Sequence, residues 1–122
     1  MQLPPVYSKA YHLSESLLKC TAHFPKQHRP TLGRRIEDSA LDLATQLRRF
    51  LLGSAPRELP SLLATVDDLK VYLQLAHELT CLSHAQYHEL SQSVSIIGKM
   101  LGGMKRYLDG GTNTEAIGQS PC

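Results

Sequence analysis

Apolar residues recur at intervals of three and four along four segments of the chain, the spacing that gathers side chains on one face of an amphipathic helix. The first segment runs from about Pro4 to Phe24, with Tyr7, Ala10, Tyr11, Leu17, Leu18 and Phe24 read as its inner face. The second begins after Thr31, read as its N-cap, and carries Leu32, Ile36, Ala40, Leu43, Leu47 and Phe50; Gly53 is suited to end it in a left-handed conformation. The third follows the turn-forming SAPRELP, in which Pro56 and Pro60 favour a helix start, and aligns Leu62, Val66, Leu69, Leu73 and Ala76. The fourth opens at Leu82-Ser-His-Ala-Gln-Tyr87. Here Ser83 and Gln86 form a capping box and Leu82 and Tyr87 occupy the staple positions. It continues through Leu90, Val94, Ile97, Leu101, Met104 and Leu108.

No strand-like alternation and no internal repeat interrupts this pattern. Four helices of similar length joined by short connections predict an all-α, up-down-up-down antiparallel four-helix bundle. The bundle forms one domain over residues 1–109, and GGTNTEAIGQSPC, residues 110–122, is read as a disordered C-terminal tail.

Helices three and four carry more apolar surface than one bundle needs. Beside its core stripe the third presents Val71, Tyr72, Leu75, Leu79 and Leu82, and the fourth presents Ile96, Met100, Gly103 and Tyr107. Single exposed apolar residues are ordinary on any protein. Second stripes on two consecutive helices instead mark contacts between copies, and predict a homo-oligomer. Gly98, Gly102 and Gly103 weaken a helix, and are expected where another helix backbone approaches.

Charge changes the picture less than its placement does. The formal net charge of the 122 residues is +2, too small for a strongly basic surface unless the cations cluster or copies assemble. Arg34, Arg35, Arg48 and Arg49 lie off the core stripe of helix two. Lys26 and Arg29 precede them, and Lys99, Lys105 and Arg106 decorate helix four. Arg34 and Arg48 fall nearly on one line of the helix, as do Arg35 and Arg49, giving two basic rows suited to phosphate. The plainer reading is a solvated face partly neutralised by Glu37, Asp38 and Asp42.

Catalytic constellations are weak, and no enzyme activity is predicted. His84 and His88 with Cys81 have the spacing of a partial zinc site but lack an evident fourth ligand, so no metal and no cofactor is expected. No phosphate loop is present, because the Gly-Lys-Ser/Thr ending is missing from GKMLGG and LGSAPR. Cys20, Cys81 and Cys122, an odd number at scattered spacing, predict free thiols in a reducing cytoplasm. Nothing in the sequence spans a bilayer or resembles a secretory leader, so a cytoplasmic location without membrane contact is expected.

The segments FPKQHRPTLGRRIEDSALDL (24–43) and LKVYLQLAHELTCLSHAQYHELSQSVSIIGKMLGGMKRYL (69–108) carry a resemblance. They are similar to the accessory variability determinant family of diversity-generating retroelements, with its FPK…TLG…RIE pattern in helix two and I-G-[RK]-M-L-G-G in helix four. Met104 departs from the Trp that relatives commonly carry after the paired glycines. The resemblance implies a homopentameric barrel with a basic surface. It also implies that the barrel binds the reverse transcriptase of the same retroelement and its RNA or DNA with low sequence specificity. In such a system the accessory protein supports mutagenic cDNA synthesis and retrohoming without catalysing a reaction. The rival is the related four-helix protein encoded in intervening sequences of ribosomal RNA genes, a structural or protein-interaction bundle with no retroelement role.

Overall fold

The computed structural model describes residues 3–53 and 57–117, with side chains described as far as Leu108. It is all helical over these residues: α1 (Pro5–Thr21), a π-helical turn (Arg29–Gly33), α2 (Arg34–Leu51), α3 (Glu58–Glu78) and α4 (His84–Ile117). α1 packs on α2, α2 on α3 and α3 on α4, and α4 returns to α1, closing a four-helix bundle around one core. Among the described residues, no helix is long and apolar enough to cross a membrane.

Each helix end has a local cause. Pro5 stands at the start of α1, where its missing N–H forfeits nothing. α1 ends four residues before Pro25, a residue that disfavours helix just ahead of it. The chain then enters α2 without an N-cap. The Gly33 N–H donates to His28 O at 2.9 Å, an i to i−5 bond, so the π turn feeds straight into the helix. Thr31 lies inside that turn, its hydroxyl 3.5 Å from His28 O, which corrects the expectation that it caps α2. Gly53 closes α2 at φ +86°. α3 ends in a Schellman motif: Cys81 N–H donates to Ala76 O (2.8 Å) and Thr80 N–H to His77 O (3.1 Å). The left-handed position in it is held by Thr80 at φ +60°. The capping box of α4 forms as the sequence predicts. Ser83 N–H donates to Gln86 Oε1 (2.9 Å), and Gln86 N–H to Ser83 Oγ (3.1 Å).

The central parts of the core stripes of α2, α3 and α4 lie where the spacing places them, whereas the predicted end positions Leu32, Phe50 and Met104 are half-buried and Leu108 is exposed. Ile36, Ala40, Leu43, Leu47, Leu62, Val66, Leu69, Leu73, Ala76, Leu90, Val94, Ile97 and Leu101 are all buried. α1 is rotated from its predicted face. Val6, Ala10, Leu13, Ser14, Leu17 and Thr21 point inward, while Tyr11 (53% exposed) and Leu18 (37%) point to solvent. Two hydroxyls make that rotation possible. Ser14 Oγ lies 2.9 Å from both Ala10 O and Ala40 O, and Thr21 Oγ1 donates to Glu37 Oε2 at 2.7 Å, so polar residues occupy the α1–α2 seam satisfied. Glu37 is thus half-buried and bonded to α1 rather than spent on a surface arginine.

α4 runs on as backbone helix to Ile117, past the end expected near Leu108. Gly110 and Gly111 lower helix propensity but do not forbid helix. Of the expected tail, the side chains of 109–117 and all of 118–122 lie outside the described residues.

Candidate nucleic-acid interface

The nine predicted contact cations, Lys26, Arg29, Arg34, Arg35, Arg48, Arg49, Lys99, Lys105 and Arg106, are all exposed. They do not share one place. Arg34 and Arg35 lie at the start of α2, in a groove also lined by Tyr72, Leu75 and Leu79 of α3 and by His28, Pro30, Thr31 and Leu32 of the π turn and the residue before it. Arg48 and Arg49 stand at the other end of α2, about 21 Å along the axis. Lys99 and Arg106 belong to a third region, a groove between α3 and α4 that holds Lys70, Asp67, Ser95, Gly98 and Gly102. Lys70 was not among the predicted contacts; nothing in its spacing marks it, and only the packing of α3 on α4 brings it to Lys99.

Ion pairs divide the arginines further. Arg34 Nε lies 3.5 Å from Asp38 Oδ2 within α2, and Arg49 Nε donates to Glu58 Oε2 at 3.2 Å, tying the end of α2 to the start of α3. Among the described residues, Arg35, Arg48, Lys99 and Arg106 make no ion pair. Exposed pairs contribute only about 0–1 kcal/mol, so Arg34 stays accessible to a stronger anionic partner. Arg49 is more firmly engaged, because Glu58 is only a quarter exposed.

The predicted subunit-contact residues divide in a similar way. Val71, Leu75, Leu79, Ile96 and Tyr107 are exposed, the last at 79%. Tyr72 and Met100 are half-buried and pack partly against the chain's own core, and Leu82, read from the sequence as part of the exposed second stripe, is buried in that core. Leu75 and Leu79 line the α2–α3 groove, whereas Ile96 lines a groove between α1 and α4. Those grooves lie on opposite edges of the bundle, since α2–α3 and α4–α1 are opposite sides of its closed cycle of contacts. Tyr11, Leu18 and Leu41 add apolar surface that the sequence reading assigned to the core or passed over.

The glycines of α4 also separate. A Cβ on Gly98 would stand 3.2 Å from Val66 Cγ1, so α3 itself takes the close approach there. A Cβ on Gly102 or Gly103 would meet only the guanidinium of Arg106, at 3.8 and 3.9 Å. Packing within the chain therefore leaves these two unexplained, although each costs about 1 kcal/mol against Ala in a helix interior.

No group of three or more His, Cys, Asp or Glu gathers in metal-binding geometry among the described residues. His84 faces His77 instead (ring centroids 5.5 Å), and His77 stacks on Tyr87 at 4.5 Å. Cys20 and Cys81 are free thiols. Burial pushes the Cys20 thiol up from its ordinary pKa, and the nearby Glu89 carboxylate adds to the rise.

Residues 6–108 match the family described as bAvd-like. No curated protein and no solved structure matches the chain.

Proposed function

The chain belongs to the bAvd-like family, and from that premise we propose that it is the non-catalytic accessory protein of a diversity-generating retroelement. In this reading the bundle is up-down-up-down and assembles into a homopentameric ring in the cytoplasm. The ring binds the element's reverse transcriptase and its template RNA or cDNA with little sequence preference, in support of mutagenic cDNA synthesis and retrohoming.

One observation carries the reading: exposed large apolar residues stand on two opposite edges of the bundle, with exposed arginine and lysine beside them. A two-fold dimer needs one self-complementary patch. A closed ring needs two different patches, each meeting the other on the next subunit, and the Leu75–Leu79 and Ile96 edges supply two. Repetition around a ring would also turn a net charge of +2 per chain into a continuous positive band. The short connections between helices favour antiparallel neighbours.

Sedimentation velocity on the full chain, paired with RNA binding measured across a salt series, tests the proposal. A ring with salt-dependent affinity for RNA supports it, and Leu75→Glu should dissociate that ring while helicity persists. Arg34→Ala with Arg48→Ala should weaken binding of nucleic acid or reverse transcriptase without lowering thermal stability. A monomer at micromolar concentration with no affinity for RNA or for the reverse transcriptase would leave only the structural bundle.

A further inference from the structure

We infer that the groove between α3 and α4 holds the sugar–phosphate backbone of a single RNA strand, an assignment that rests on the nucleic-acid binding proposed above. The groove is floored by Gly98 and Gly102 and edged by Lys70, Lys99 and Arg106. Three cations face a single carboxylate there, Asp67, whose Oδ1 lies 3.8 Å from Lys70 Nζ. The excess of three over one equals the formal net charge of the whole chain, +2. Lys99 and Arg106 make no ion pair among the described residues, so their charge is not spent inside the bundle.

The glycines supply the second observation. Gly98 is accounted for by Val66, but nothing in the chain requires Gly102 or Gly103 to be bare. Arg106 lies back over both of them, at ordinary van der Waals distance from where a side chain would start. Its Nη1 and Nη2 lie within 4 Å of the points where the two Cβ atoms would stand, so the guanidinium rests along α4 against backbone. A guanidinium held this way keeps its planar fork for bidentate contact with phosphate oxygens. Lys99 and Arg106 are two turns apart, about 10 Å along the helix, and a strand advances about 3.4 Å per nucleotide in a duplex. The two cations therefore meet different phosphates of one strand rather than one anion together.

Shape selects a single strand over a duplex. Packed helices stand about 8–10 Å apart, and the groove between them is narrower than the ~12 Å major groove that a duplex itself presents. The α2–α3 groove differs in kind, because there Leu75 and Leu79 share the space with the arginines. In the α3–α4 groove the apolar lining, Leu63 and Val66, is half-buried or buried, leaving cations and a small-residue floor.

The test uses a fluorescein-labelled oligouridylate of about 12 nucleotides, within the ~4–16-nucleotide range of single-strand sites, and an RNA duplex of equal length. Anisotropy is read on the full chain between about 50 and 200 mM salt. Lys99→Ala with Arg106→Ala should weaken single-strand binding about tenfold or more at the low end. Adding Lys70→Ala should flatten the log–log salt slope by about two units, at ~0.7 per lost contact. Gly102→Leu changes no charge but fills the floor, and should also weaken the single strand more than the duplex. Sedimentation of each variant should match the parent, and melting temperature should match it or, for Gly102→Leu, exceed it through the gain in helix propensity. If these variants bind like the parent while Arg34→Ala with Arg48→Ala loses RNA, the strand lies on α2; the groove assignment falls and the nucleic-acid reading stands. If the parent binds no RNA, both fall. If polyglutamate of equal length displaces the oligonucleotide with equal affinity, the groove takes an acidic protein segment and the assignment is overturned.

Discussion

Thr80→Gly should stabilise the protein. Thr80 is the only non-glycine residue at positive φ among those described, at +60°, and it occupies the C′ position of the Schellman motif that ends α3. A left-handed conformation brings Cβ against the following carbonyl, at a cost of about 1–2 kcal/mol for an ordinary residue, and β-branching does not relieve it. Glycine removes that cost but loses more backbone freedom on folding, about 0.5–1 kcal/mol against Ala. The hydroxyl contact from Thr80 Oγ1 to Leu79 O, 2.6 Å, is also lost, but both residues are exposed and water replaces it. The net gain is about 0.5–1 kcal/mol. For a domain of this size that is a rise in melting temperature of roughly 2–5 °C, or an equivalent shift in urea midpoint at unchanged m-value. Thr80→Ala is the control, because it removes the branch and the hydroxyl yet keeps Cβ. It should capture little of the gain. Equal shifts in the two variants would show that side-chain chemistry, not backbone conformation, sets the cost, and a lower midpoint for the glycine variant would refute the reasoning outright.

Gly53→Ala should do the reverse. Its φ is +86° and a Cβ would meet nothing within 4 Å, so a loss of about 1 kcal/mol in urea unfolding would come from backbone conformation alone. Ser14→Ala should lose about 1 kcal/mol in the same assay, because it removes the buried hydroxyl bond to Ala40 O across the α1–α2 seam. Cys20 should alkylate with iodoacetamide more slowly near pH 8.5 in the folded than in the urea-unfolded chain, as read by mass spectrometry. Its thiol pKa is raised by burial first and by Glu89 second, so Glu89→Gln should restore only part of the rate. The same upward shift means that neutral Cys20 contributes stability below the ordinary thiol pKa, and that this contribution is lost as pH rises through the folded value.

The fold was legible where one residue type dominated one face. In α2, Ile36, Ala40, Leu43 and Leu47 leave a single inward direction opposite the charged residues, and all are buried. α1 was not legible in this way, because its apolar residues spread over about half its circumference and the choice within that arc turned on Ser14 and Thr21. A polar residue enters a core when its partner waits there, and the partners, Ala40 O and Glu37, lie on another helix. The π turn was invisible for a similar reason: Thr31 has the right residue type for an N-cap, and only the bond from Gly33 to His28 O decides otherwise. At the candidate site the cations could be named from the sequence, but not their grouping. Arg49 meets Glu58 across the α2–α3 connection, and Lys70 meets Lys99 and Arg106 only through helix packing.

That grouping bears on what the arginines of α2 can do. Arg34 and Arg35 line the same groove as Leu75 and Leu79, so a neighbouring subunit that covers the leucines must also cover or engage the arginines. A covered cation needs an anionic partner, since an unpaired buried charge is strongly unfavourable. Asp38 already gives Arg34 such a partner within the same groove, so in the proposed ring it is Arg35 that would answer to a carboxylate of the next subunit. Arg48 at the far end of α2, and Lys99 and Arg106 across α3, remain to meet phosphate. The two basic rows drawn along α2 from its sequence would on this argument be cut across the helix rather than along it. Arg35 would belong to the ring and Arg48 to its ligand. Substituting Arg35 should consequently disturb sedimentation before it disturbs RNA affinity, and substituting Arg48 should do the opposite.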